Sequence, residues 1–144
     1  MAQAKVVIVG GGFAGLNVAK SLKKAPVEIL LIDRTNHHLF QPLLYQVATA
    51  ALSPGEIAYP IREIFSKQKN TMTVMGEVTE IDKEKKSLTL ANGDVINYDF
   101  LVLAVGARHS YFGNDKWEPF APGLKTISDA LSIREKILFS FEIA

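Results

Sequence analysis

Lys5-Val6-Val7-Ile8-Val9-Gly10-Gly11-Gly12-Phe13-Ala14-Gly15 is the stretch that decides the fold. A short β-branched run ending on glycine reads as a strand buried on both faces, as in a parallel sheet. Over residues 13–24 the spacing turns helical, with Val18, Ala19 and Leu22 on one side. Lys20, Lys23 and Lys24 lie toward its end, where cations suit the helix dipole. Pro26 stops the helix, and residues 27–32 form a second apolar strand ending at Asp33. Strand, helix and strand make a β-α-β unit, whose crossover is right-handed. Gly10, Gly12 and Gly15 fit G-x-G-x-x-G between that strand and that helix, which is the context that gives the pattern meaning. Gly10 permits the tight turn, Gly12 lets the backbone approach a pyrophosphate, and Gly15 lets the helix close on the strand. The N–H groups at the helix start then receive phosphates. Asp33 follows Gly10 by 23 residues, near the ~20 expected of an acid that binds an adenosine ribose. A carboxylate there accepts hydrogen bonds from both ribose hydroxyls and repels a 2′-phosphate. The competing reading is a glycine turn with a strand-end Asp and no nucleotide.

Working outward, residues 34–59 are irregular, with Asn36, His37, His38, Pro42, Pro54 and Gly55 and a short apolar piece over residues 45–52 that has helical character. Long loops of this kind carry function more often than they serve as inert connectors. Pro60 sits in the first turn of a short helix over residues 61–65. From Thr71 strands follow, one of them supported by Val74, Glu77, Val78 and Ile81. Residues 87–90 and 95–98 flank Asn92-Gly93, a strong hairpin signal. Residues 100–105 are another apolar strand, ending at Gly106. Ser128 is the expected cap of a last helix, with Asp129 in its first turn and Leu131, Leu138 and Phe141 on one side, joined by Ile133 and Ile137. No internal repeat or low-complexity segment is present, and the sequence stops inside this amphipathic helix.

Composition bounds the function classes. The 144 residues are 48% hydrophobic and 22% charged, ordinary for a globular domain with a real core. Sixteen Lys+Arg against 15 Asp+Glu leave a net charge of +1, which gives no support for nucleic-acid binding. Cysteine is absent, excluding from this stretch a disulfide framework, a cysteine zinc site, a thiolate nucleophile and a redox cysteine pair. No apolar run approaches the ~18 residues of a spanning helix. The apolar N-terminal run is broken by Gly10-Gly11-Gly12 and reads as a strand, not as a signal peptide. A cytoplasmic setting fits. His37 and His38 are adjacent, so their side chains diverge, and no acidic partner is placed by spacing. They read as loop-structuring, and no metal is expected.

The first β-α-β unit is followed by a long loop and a β-meander, not by the further β-α units of an NAD dehydrogenase. A second nucleotide signal is Tyr98-Asp99-Phe100-Leu101-Val102-Leu103-Ala104-Val105-Gly106. It looks like the Tyr-Asp, apolar strand, Ala-Thr-Gly signature of two-dinucleotide-domain flavoproteins, with Val105 where Thr is usual. The fold class expected is α/β: a Rossmann-like FAD-binding domain, with a parallel sheet begun by β-α-β and an inserted β-meander, incomplete over residues 1–144.

Asp33-Arg34-Thr35-Asn36-His37-His38-Leu39-Phe40-Gln41-Pro42-Leu43-Leu44-Tyr45-Gln46-Val47-Ala48-Thr49 is more specific and resembles type II NADH:quinone oxidoreductases, the single-subunit respiratory NADH dehydrogenases. Leu52-Ser53-Pro54 and residues 57–62 continue the likeness, which runs from about Lys5 to the end. The resemblance implies noncovalent FAD in the first Rossmann domain, NADH in a second Rossmann domain inserted later, and hydride passing from NADH through the flavin to a quinone. It implies attachment to the membrane surface, on the cytoplasmic face of the inner membrane, through a C-terminal amphipathic region. Carried over residue by residue, Gly10, Gly12, Phe13, Ala14 and Gly15 match the pyrophosphate loop, Asp33 the ribose acid, and Arg34 the position flanking the adenine. Pro42, Leu43, Tyr45, Gln46 and Thr49 match the loop toward the isoalloxazine and quinone, Val78 the backbone that meets the adenine, and Ala104, Val105 and Gly106 the second FAD motif. Hydride transfer between cofactors needs no acid–base pair, so Gln46 is the single side chain put forward near the reacting flavin. The implied partners are NADH, a quinone, a membrane surface and a second copy in a homodimer, with no nucleic acid.

The family's chain is longer. The NADH-binding domain, the late Gly-Asp segment that completes the FAD site and the membrane-binding region are not in these residues, so this stretch is expected to be an N-terminal part that does not oxidise NADH by itself. Three other readings remain open: a sulfide:quinone reductase or other pyridine-nucleotide-disulfide-reductase-like flavoprotein, a non-catalytic nucleotide-binding fragment, and a plain NAD-binding Rossmann domain.

Overall fold

Alternation along the first strand sets up the layers. In the computed structural model, which describes residues 3–143, the elements in chain order are β1 (Ala4–Val9), α1 (Phe13–Ser21), β2 (Val27–Asp33), β3 (His37–Leu39), α2 (Leu44–Ala48), β4 (Ala58–Pro60), α3 (Ile61–Ile64), β5 (Thr71–Met75), β6 (Val78–Asp82), β7 (Ser87–Leu90), β8 (Val95–Asn97), β9 (Phe100–Leu103) and α4 (Ile127–Glu142). Short 3₁₀ turns span Gln41–Leu43, Pro54–Glu56 and Asp115–Trp117. Two compact units result, one of Met1–His38 and Pro60–Gly106, the other of Leu39–Tyr59 and Ala107–Ala144.

In the first unit a four-stranded sheet runs in the order β5-β2-β1-β9. All three pairings are parallel, with Val9 in register with Ile32 and with Leu103, and Asp33 with Met75. Even-numbered positions of β1 face one way: Val6 and Ile8 pack with Leu16 and Ala19 of α1 and with Ile61 and Phe65. Odd-numbered positions face the other: Val7 and Val9 pack with Leu88 and Leu90 of the meander β6-β7-β8, joined by Ile81 and Ile96. One central sheet is thus covered by helices on one face and by a small antiparallel sheet on the other. Each fully buried aliphatic side chain here contributes about 1.5–3 kcal/mol through the surface it removes from water. The α/β architecture expected from the sequence, with its β-α-β start and its meander, is present.

Local details depart from the sequence reading at several points. Helix α1 ends at Ser21, not Lys24. The Ser21 hydroxyl donates to the Val18 carbonyl, and the Asn70 amide donates to the carbonyls of Leu22, Ala25 and Val27, so side chains join short backbone turns in carrying the chain to Pro26. The segment anchored by Val74, Glu77, Val78 and Ile81 is two strands. It breaks at Gly76, whose N–H donates to the Asp33 carbonyl, and β5 joins the parallel sheet while β6 starts the meander. The hairpin at Asn92-Gly93 is as expected, with Gly93 at φ +88° and Leu90 and Asp94 bonded.

A further departure lies in the second unit. Thr126, not Ser128, caps α4: its hydroxyl accepts the Asp129 N–H, and the Asp129 carboxylate accepts the Thr126 N–H, a reciprocal capping box. The face of α4 that is buried is that of Ala130, packed with Leu44, Val47, Ala48 and Ile57 and with half-buried Ile133. Leu131, Leu138 and Phe141, expected on the inner side, are exposed. A small side chain at position 130 lets α4 come close to α2, which selects that face over the bulkier one. Among the described residues no helix is long and apolar enough to cross a membrane.

Candidate functional site

Parallel pairing brings the carboxyl ends of β1, β2, β5 and β9 to one edge of the sheet. Chain order reverses there: from β1 the chain goes to β2 on one side and later returns as β9 on the other. A crevice at such a switch point is where open α/β sheets bind ligands. The Gly10 turn follows β1, Asp33 ends β2, and Ala104 follows β9.

The three motif glycines differ in what surrounds them. Gly10 has φ +110°, and a Cβ on it would lie 2.2 Å from the Ala104 carbonyl oxygen. A Cβ on Gly15 would lie 1.8 Å from the Gly10 carbonyl oxygen. Both are glycines because the chain's own backbone fills the space. Gly12 is different. It caps α1 with φ −75° and ψ −170°, a conformation open to any residue, and nothing lies within 4 Å of where its Cβ would be. Neither packing nor dihedral angle requires glycine at position 12. The backbone at Gly12 is therefore open to a group from outside the chain.

Helix α1 begins at that point with no side-chain cap, since Gly12 has none to offer. The first N–H groups of a helix lack intrahelical acceptors and sit at the positive end of its dipole. Phe13 and Ala14, the first helical residues, are exposed. An open glycine at the positive end of a helix dipole suits an oxyanion, and it fits a pyrophosphate.

Asp33 is half-buried and already engaged. Its Oδ2 accepts the Gly11 N–H at 2.5 Å, and its Oδ1 accepts both the N–H and the hydroxyl of Thr35 at 2.7 Å. A carboxylate has about four lone-pair sites. Three are occupied, so capacity for about one ribose hydroxyl remains, where the sequence reading assigned both. The link to Thr35 had a local signal, since an Asp two residues before a Thr is the spacing of an Asx turn. The link to Gly11, across 22 positions, had none.

The remaining candidates fall as follows. Arg34 is exposed next to Asp33. Val78 opens β6 in register with Leu90 and lies half-buried against the meander side of the sheet. Ala104 donates its N–H to the Val9 carbonyl at 2.8 Å, Val105 is exposed, and Gly106 turns the chain with φ +73°. All of these share the first unit with the glycine loop. Gln46 belongs to the second unit, on α2, where its Nε2 donates to the Tyr45 hydroxyl at 3.1 Å and its carbonyl accepts from Ala51 and Leu52. Two residues not put forward as site residues also bear on the loop: Gly11, buried against Ile61 and Asp33, and His38, whose Nδ1 lies 3.0 Å from the Gly11 carbonyl.

Comparison with known proteins agrees with this geometry. Residues 4–138 match the profile of the family described as pyridine nucleotide-disulphide oxidoreductase. The chain is 54% identical over 143 residues to the type II NADH:quinone oxidoreductase NdhA of Mycobacterium tuberculosis, covering 97% of this chain and 30% of that protein. Among solved structures it is similar to a sulfide:quinone oxidoreductase from the hyperthermophilic bacterium Aquifex aeolicus, with TM-score 0.88, 26% identity, and coverage of 98% of this chain and 33% of that one. It is also similar to NDH2 from Plasmodium falciparum in complex with NADH, with TM-score 0.86, 27% identity, and coverage of 98% and 30%. The chain therefore spans about a third of the length of the proteins it matches.

Proposed function

The chain belongs to the pyridine nucleotide-disulphide oxidoreductase family, and from that premise we propose that residues 1–144 are the FAD-binding part of an oxidoreductase that passes electrons from NADH to a quinone. FAD, when bound, supplies the chemistry that accepts a hydride and hands its electrons on. The chain's own residues bind and orient it. The open Gly12 backbone and the positive end of the α1 dipole receive the pyrophosphate, and Asp33 takes the ribose. Arg34 and Val78 flank the adenine, while Ala104, Val105 and Gly106 line the turn after β9. Gln46 is the side chain assigned to the flavin's reacting ring. The observation that carries the reading is the space at Gly12, a glycine that the chain itself does not require.

NADH binding corresponds, in this reading, to the part of the relatives' length that the chain does not span, while the loop over residues 42–49 faces the quinone side. Attachment to a membrane surface, on the cytoplasmic face of the inner membrane, also belongs to the part not spanned, and the full-length protein is a homodimer in this reading. The fold likeness to a sulfide:quinone oxidoreductase favours a second reading in the same family. The higher identity to the NADH:quinone relative and the absence of cysteine from these residues weigh against it.

The test is the visible absorption spectrum of the chain after incubation with FAD and gel filtration. Flavin bands that co-elute with the wild-type chain and vanish with Gly12→Val support the site. Bands retained equally by Gly12→Val overturn it.

A further inference from the structure

Gly11 is held at both of its polar atoms. Its N–H donates to Asp33 Oδ2 at 2.5 Å. On its other side the carbonyl oxygen meets His38 Nδ1 at 3.0 Å, across 27 positions of sequence. A carbonyl oxygen carries no proton, so Nδ1 is the donor, and the neutral imidazole is the Nδ1–H tautomer. The ring is oriented by a second contact: it stands edge-on to Phe13, with centroids 4.9 Å apart and planes at 85°.

The clamp has a consequence one residue on. In a trans peptide the C=O and the following N–H point in opposite directions, and the described peptide bonds include no cis bond. Fixing the Gly11 carbonyl on His38 therefore turns the Gly12 N–H away from the imidazole. Three successive glycines would otherwise let this peptide plane rotate freely, since glycine tolerates nearly every backbone conformation. Freezing it beforehand removes an ordering cost from ligand binding.

We propose that His38 is a positioning residue of the phosphate loop: by holding the Gly11 carbonyl it orients the Gly11–Gly12 peptide so that the Gly12 N–H is ready for a pyrophosphate oxygen. The proposal rests on the reading of this loop as an FAD site, and its test separates the two.

Two variants divide ring packing from hydrogen bonding. His38→Phe keeps a ring against Phe13 and loses the donor. His38→Asn loses the ring and places an amide N–H near the position of Nδ1. FAD affinity is measured by quenching of flavin fluorescence on the 144-residue chain. His38→Phe is expected to weaken binding roughly five- to tenfold, the effect of one lost hydrogen bond. His38→Asn is expected to restore most of it. Nitrogen-15 NMR of the wild-type chain without FAD reads the tautomer directly, and Nδ1 is expected to resonate as the protonated nitrogen. An Nε2–H tautomer overturns the proposal even if the variants fold poorly. Wild-type binding that His38→Phe leaves unchanged also overturns it and leaves the FAD reading standing, and so does a loss that His38→Asn fails to repair. A wild-type chain that binds no FAD refutes binding by these residues alone, and the tautomer then decides for the clamp.

Discussion

The carbonyl oxygen of Gly10 occupies the place where a side chain on Gly15 would begin, 1.8 Å from where its Cβ would stand, while the corresponding position on Gly12 is open. Two glycines three residues apart in one motif thus differ: the fold itself requires glycine at 15 and leaves position 12 open.

Gly15→Ala is accordingly expected to destabilise the chain by roughly 3 kcal/mol, lowering its thermal midpoint by about 10 °C, because backbone is the atom in the way. Gly12→Ala is expected to change stability by no more than about 1 kcal/mol, the scale of an N-cap substitution, while weakening FAD binding. Circular-dichroism melts beside FAD titrations check the pair. Equal stability losses in the two variants would refute the distinction.

Asp33→Ala leaves the Gly11 and Thr35 donors without their acceptor. An expected loss of about 1–3 kcal/mol follows, read in urea unfolding. FAD binding should fall as well, since the same carboxylate fixes the loop and carries the remaining ribose acceptor. A variant with full FAD affinity would show that the carboxylate has no part in the site.

Asn70 ties the carbonyls of Leu22, Ala25 and Val27 from 43 to 48 positions away. Asn70→Ala is expected to cost about 1–2 kcal/mol by removing this shared donor, and Asn70→Asp more, because a carboxylate replaces the donors and faces the same carbonyls. Thermal midpoints in the order wild type, Ala, Asp bear this out; an Asp variant as stable as wild type would sink it.

At Asp129 burial acts to raise the pKa, but the N–H groups of Lys125 and Thr126, the Thr126 hydroxyl and the nearby His109 together hold the carboxyl below its ordinary value. A depressed folded-state pKa stabilises above the unfolded value of about 3.9, and that stability is lost as pH falls through the folded pKa. The start of α4 is therefore expected to loosen below about pH 4. Asp129→Asn should be less stable at neutral pH and should lose that part of the acid dependence. Thermal melts between neutral and acid pH compare the two, and parallel curves would remove Asp129 as the cause. Thr126→Ala, which deletes the other half of the box, should cost about 1 kcal/mol at neutral pH.

The β1-loop-α1-β2 unit, the meander and the motif glycines were legible from residue order because their signals are local. A period of two, a period of 3.6, a glycine between them and an acid at the end of β2 all arise from neighbours along the chain. What the sequence did not reveal was every assignment whose partner lies far off. Gly76 ends one strand and begins another because β2 supplies the pairing for β5 and β7 supplies it for β6. Ala130, and not the larger Leu131 or Leu138, faces inward because α2 packs closely on that side of α4. Asp33 has most of its acceptor capacity taken by Gly11 and Thr35, and His38 reaches Gly11, only once the sheet has brought the end of β2 beside the end of β1. Residue order alone determined the β-α-β start, the meander and the place of the glycine loop. Tertiary structure decided which polar groups are left over to meet a ligand, because a hydrogen bond depends on where chain segments meet in space.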